Sequence, residues 1–208
     1  MDAPMNTRQV SVRGWCLPVW AQAGELPALV LLHYWGGSRR TFAPVIAHLA
    51  SGRAVVSYDQ RGWGAARQLP GPYGIEELAD DVLNAVDMLG LSRYVLAGHS
   101  MGGKVAQLAG SRRPEGLAGL ALIAPAPPRP VVDAQAGQAL SHAYDSEATV
   151  IDALDHVLTH RPLPADLREQ VISDSLAAGE EARLAWPLHG ITQDITAAAS
   201  RIEVPVLS

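Results

Sequence analysis

Residues 94–113 read YVLAGHSMGGKVAQLAGSRR. An apolar run ends at Gly98-His99-Ser100-Met101-Gly102, and a stretch of helical character begins directly behind it. G-x-S-x-G by itself is a short pattern that chance can supply, and its flanks give it weight. A strand entering a tight turn and leaving as a helix lifts a serine hydroxyl clear of the sheet edge. Small residues two before and two after the serine leave room for backbone that a side chain would obstruct. The helix also turns its amino end toward the serine, so its free N–H groups can stabilise negative charge developing there. Ser100 is therefore the candidate nucleophile, and Arg112 and Arg113 complement the far end of that helix.

Outward from this point, short apolar strands alternate with helical segments, as expected for a mostly parallel sheet covered by helices on both faces. Val10 to Trp15 and Leu17 to Trp20 read as opening strands, and Ala28 to His33 and Arg53 to Tyr58 as central strands buried on both sides. Leu117 to Ile123 continues the series. Ile75, Leu78, Ala79, Val82, Val86 and Leu89 fall on one face of a helix over 75–89, with Glu76 and Glu77 at its positive end and Gly90 to stop it. A shorter helix is expected over 41–50. From Ala124 the proline-rich APAPPRP leads into alanine-rich helical sequence. The expected organisation is a core over 1–128, a helical cap inserted at 129–196 and a return to the core at 197–208. Within the cap, Val150, Ile151, Leu154, Val157 and Leu158 form an apolar stripe, and Pro164 opens a further helix to about Ala178.

The 208 residues suit one domain, with 48% apolar and 18% charged residues, a globular balance. A formal charge of −5 without a basic run argues against nucleic acid as a partner. The amino end MDAPMNTRQV lacks the apolar core of an export signal, and no stretch has the apolar length a membrane span needs. A cytoplasmic protein with a small-molecule substrate is expected, and its oligomeric state is open. The single Cys16 reads as a buried, inert thiol in a strand. Asp152, His156 and His160 are spaced by four, but lie away from the apolar stripe, so no metal site is expected there.

Three passages together, LVLLHYWGGS (29–38), VVSYDQRGWG (55–64) and VLAGHSMGG (95–103), resemble in order and spacing the α/β-hydrolase superfamily, among its small cap-bearing esterases. The resemblance runs from about Val10 to Leu207 and implies an α/β-hydrolase fold and a serine hydrolase that needs no metal or organic cofactor. It implies oxyanion-hole donors in the backbone N–H groups of Met101 and Trp35, with Tyr34 as the alternative to Trp35. Tyr34 occupies the place of the usual glycine of a His-Gly start. His33 is expected to hold that loop, and Asp59, Arg61 and Gly62 to order the turn after the fourth strand. Trp63 either borders the pocket or packs at the surface.

In this fold the acid and histidine of the triad follow the serine along the chain, and the resemblance places both beyond Ser208. The expectation is a C-terminally truncated sequence whose catalytic acid and histidine are not among these residues, with an unprotected sheet edge at Leu207. His142, His156, His160 and His189 fall in the cap, and Asp133 is the one acid near an alternative family position. Two other readings stay open: a binder of small apolar ligands without turnover, and an inactive truncated hydrolase.

Overall fold

The computed structural model describes residues 6–12, 14–49 and 52–208. Among the described residues seven strands form one sheet: β1 (Asn6–Val12), β2 (Trp15–Gln22), β3 (Glu25–Leu32), β4 (Arg53–Tyr58), β5 (Tyr94–His99), β6 (Leu117–Ile123) and β7 (Val206–Leu207). Their order across the sheet is β1-β2-β4-β3-β5-β6-β7. The hairpin β1–β2 and the β2–β4 pair are antiparallel, and every other pair is parallel. The fold class read from the sequence is the one observed.

β4 is buried from Ala54 to Tyr58, and Ala28, Val30, Leu31 and Leu32 of β3 are at most 3% exposed, which is why these central strands read as unbroken apolar runs. The opening pair differs from expectation. β1 starts at Asn6, and a turn about Gly14 (φ +82°) separates it from β2; residue 13, within the expected first strand, lies outside the described residues. Cys16 also departs from its expected burial. It is exposed, because it lies where the β1–β2 hairpin projects from the core.

Helix α1 (Ala43–His48) is preceded by a 3-10 turn at Arg39–Phe42, where the Ser38 hydroxyl accepts the Arg40 N–H (3.1 Å). The helix is therefore shorter than the expected 41–50, whose last residue lies outside the described ones. Helix α2 (Ile75–Met88) buries Ile75, Leu78, Ala79, Val82 and Val86 as its spacing predicts. It also buries Asp81, which pairs with Arg61 (2.7 and 2.8 Å) in the turn after β4. Helix α3 (Met101–Ser111) follows β5. Rather than only capping α3, Arg112 bonds Asp80 (2.5 Å) and Glu76 (2.7 Å) on α2, and Arg113 pairs with Glu203 (2.6 Å).

Between β6 and β7 lie α4 (Ala134–Leu140), α5 (Glu147–Ala153), α6 (Ala165–Leu176), α7 (Glu180–Ala185) and α8 (Thr196–Ala199). π-helical turns extend α5 over Leu154–Leu158 and α7 over Trp186–Gly190. Tyr144, Val150, Ala178, Trp186 and Ile195 of this segment share one apolar cluster with the sheet and α2–α3. Among the described residues no helix is long and apolar enough to cross a membrane.

Candidate active site

β5 and α3 meet at Ser100, whose φ of +52° and ψ of −113° form a conformation that L-residues rarely adopt. The surrounding backbone holds it there. The Ser100 N–H donates to Ile123 O (3.1 Å), and its carbonyl accepts N–H groups from Gly103 (2.9 Å), Lys104 (3.2 Å) and Ala126 (3.0 Å). The flanking glycines answer to close approach: a Cβ on Gly98 would lie 2.2 Å from Gly102 O, and one on Gly102 would lie 2.3 Å from Leu32 O. The half-buried Ser100 lines a cavity, and its hydroxyl has no hydrogen-bond partner among the described residues.

The loop after β3 forms a second wall. His33 is fully buried, and its Nε2 accepts the Gln60 N–H (2.9 Å). Nδ1 must then carry the proton, which it donates to Tyr34 O (2.8 Å). Burial lowers the His33 pKa, outweighing its bond to Tyr34 and the charges of Asp59 and Asp174, so the ring is neutral. His33 thus holds the loop, as expected. Trp35 is buried, donates its indole N–H to Arg183 O (2.8 Å), and stacks on Tyr144 (4.0 Å between centroids, 24°). The backbone N–H groups of Met101, Trp35 and Tyr34 have no hydrogen-bond partner among the described residues. In the next turn, Asp59 accepts the N–H groups of Arg39 (2.7 Å) and Ala65 (2.9 Å), as expected of an ordering residue. Trp63 is 2% exposed and meets His33 edge-on (6.3 Å), so it is neither a surface nor a cavity residue.

The cavity, of about 410 Å³, has Ser100, His99 and Ala124 on one side and Tyr34, Thr41 and Pro44 on another. Leu154, Val157, Leu158, Leu163, Leu167 and Val171 close over it, together with Thr159 and Gln170. The stripe read on α5 therefore splits: Val150 packs in the core, and Val157 and Leu158 face the cavity and solvent. Among the described residues no Asp, Glu, Lys or Arg lines this space, and burial lowers the His99 pKa. The arrangement suits a nucleophile facing a mainly apolar chamber.

The α/β-hydrolase fold family matches residues 27–163 of this chain. The chain belongs to the α/β-hydrolase family. It is 34% identical over 117 residues to a Caulobacter segnis protein named as a carbamate hydrolase, RutD, covering 54% of this chain and 43% of that protein. It is 43% identical over 86 residues to the 2-heptyl-3-hydroxy-4-quinolone dioxygenase AqdC2 of Rhodococcus erythropolis, covering 41% of this chain and 32% of that one. Aligned with these relatives, the chain thus spans less than half of their length. The esterase EaEST of Exiguobacterium antarcticum has the same fold, with a TM-score of 0.83 at 18% identity over 99% of this chain and 79% of that one.

None of the other acids and histidines singled out in this α/β-hydrolase chain reaches Ser100. Asp133 caps α4 by accepting the Ala136 N–H (2.9 Å), and His142 pairs with Asp145 (2.8 Å). His156 pairs with Asp152 (3.1 Å) at the surface, and His160 and His189 are exposed. No three His, Cys, Asp or Glu side chains are grouped to hold a metal ion among the described residues. Sequence reading missed Lys104, which is buried beneath Trp186 and donates to Gly190 O (3.1 Å), Ile191 O (3.4 Å) and Gln193 O (2.5 Å). Burial lowers its pKa, against the opposing charge of Asp194. Its sequence signal is a lone cation in an otherwise uncharged helix.

Proposed function

We propose that the protein carrying this chain is a serine hydrolase that cleaves an ester-like or related acyl bond in a small, fairly hydrophobic substrate through an acyl-enzyme on Ser100. The observation that carries the reading is the position of Ser100, held at φ +52° with an unpartnered hydroxyl at a mainly apolar cavity. Its Oγ attacks the substrate carbonyl carbon, and the developing oxyanion accepts the free N–H groups of Met101 and Trp35. Collapse expels the alcohol or other leaving group, and water then releases the acid from the serine ester. In this reading the proton of Ser100 passes to a histidine oriented by an acid, and the triad order of this fold supports a position C-terminal to β7 for both. The segment over 129–196 acts as the cap that supplies the apolar wall.

The test is hydrolysis of short and medium 4-nitrophenyl esters by the full-length protein and its Ser100→Ala variant. Turnover falls by at least ~10³-fold in the variant, and dialysis against a chelator leaves the wild-type rate unchanged. Equal rates in the two proteins would overturn the assignment of Ser100.

A further inference from the structure

Tyr34 opens the loop after β3, and its backbone is pinned by two bonds to its carbonyl, from His33 Nδ1 (2.8 Å) and the Gly37 N–H (3.0 Å). Its ring meets His99 edge-on (5.2 Å, 60°) and leaves no room beside Gly37, where a Cβ would lie 2.9 Å from Tyr34 Cε1. The side chain lines the Ser100 cavity, yet its hydroxyl has no hydrogen-bond partner among the described residues. Burial, and then the negative charge of Asp174, raises the phenol pKa, so the group stays a neutral donor. Of the chamber's other side chains with a polar hydrogen, His99 is set edge-on against Tyr34 and Ser100 is the nucleophile. Thr159 donates to Leu154 O (2.8 Å), Thr41 accepts the Ser38 N–H (3.4 Å), and Gln170 hangs from α6 on a longer side chain. Among the described residues no Asp, Glu, Lys or Arg lines the wall, so these residues offer a charged substrate group no counter-charge.

We propose that Tyr34 is a specificity-determining residue: its hydroxyl donates a hydrogen bond to an uncharged acceptor, an ether, ketone or amide oxygen, carried by the substrate. The assignment rests on Ser100 as the nucleophile and goes beyond it, because it names the group that the substrate presents beside its scissile carbonyl. A pinned aromatic ring loses little freedom on binding, so one bond from it discriminates between ligands of equal shape.

Two isosteric ester pairs test this in the full-length protein: 4-nitrophenyl methoxyacetate against 4-nitrophenyl butyrate, and 2-methoxyethyl benzoate against butyl benzoate. Comparing wild type with Tyr34→Phe cancels the intrinsic reactivity of each ester. The variant loses about five- to tenfold of the preference for the oxygen-bearing member in at least one pair, carried by KM, the size of one neutral hydrogen bond. Tyr34→Leu gives the same loss and serves where the phenylalanine variant folds poorly. An unchanged preference in both pairs, or an equal slowing of both members, overturns the assignment. Where Ser100→Ala still abolishes turnover, that failure touches Tyr34 alone; turnover surviving Ser100→Ala overturns the nucleophile and this inference together.

Discussion

The three loops gathered at Ser100 and the helical segment between β6 and β7 face one another across the same cavity, but they are built differently. The loops are locked by backbone: Ser100 makes four main-chain hydrogen bonds, and Gly98 and Gly102 sit where a single Cβ would overlap neighbouring carbonyls. The helical segment joins the sheet and its loops through an apolar seam, a backbone bond from the Gly179 N–H to Gly62 O (3.1 Å) and several side-chain ties: Trp35 to Arg183 O, Tyr144 to Trp35 O (3.0 Å), Ser38 to Asp174 (2.7 Å), and Lys104 to carbonyls near Gly190. The side that holds the nucleophile tolerates little change, and the side that shapes the chamber is held mostly by side-chain contacts that can be removed one at a time.

The largest effect is expected in the rigid half. Arg61 and Asp81 are 2% and 1% exposed, and their two-pronged ion pair fixes the turn after β4 against α2. Asp81→Leu leaves a buried guanidinium without its counter-charge, at a cost of about 3–5 kcal/mol. Urea denaturation should show one cooperative transition at a lower midpoint, with the whole molecule affected. A variant within 1 kcal/mol of wild type would mean that this half is less tightly locked than its hydrogen bonds imply.

Lys104→Met is the matching change at the seam. Methionine fills much of the same space, but three carbonyls lose their donor, a loss of about 1–3 kcal/mol. Limited proteolysis should cut the variant first between Trp186 and Thr196, while the amide protons of β3 to β6 keep their slow hydrogen exchange. Loss of protection in the strands and the helical segment together would erase the contrast between the two halves.

The two halves also differ in how much of them could be read from sequence. The elbow, the central strands and α2 were legible because each follows from local rules: apolar runs, helical spacing, and glycines demanded by close approach. The chamber wall was not, because its stripe at Leu154, Val157 and Leu158 crosses a π-helical turn that rotates the last two residues away from the core. Tyr34 was visible as a departure at the glycine position, but not as a cavity residue, since the direction of its ring depends on Gly37 and His99. The Lys104 and Trp35 ties span 86 and 148 positions, distances over which spacing carries no information.

A smaller effect separates the halves by pH. Burial lowers the pKa of both His33 and His99, so the unfolded chain binds protons near 6.5 that the folded chain resists. The stability these neutral rings contribute is complete above about pH 6.5 and declines as pH falls from there toward their folded values, with a slope of up to ~1.4 kcal/mol per unit for each. Melting temperature should therefore drop between pH 7.5 and 5.5, and His33→Asn should flatten part of that drop. A flat profile in the wild type would show that the His33 ring is not held neutral.

The smallest effect belongs to Cys16, at the margin of the rigid half. It lies opposite Ser11 in the β1–β2 hairpin and is exposed, and no hydrogen bond or apolar contact of the core depends on its sulfur. A maleimide should label it completely in the native protein, and Cys16→Ser should change stability by no more than about 0.5 kcal/mol. The register gives the reason: Leu17 and Val19 on the alternate face of β2 carry the burial, so the locked region ends at that face and does not extend to the hairpin's outer side. Slow or partial labelling would place the boundary one strand further out and bring the hairpin into the rigid half.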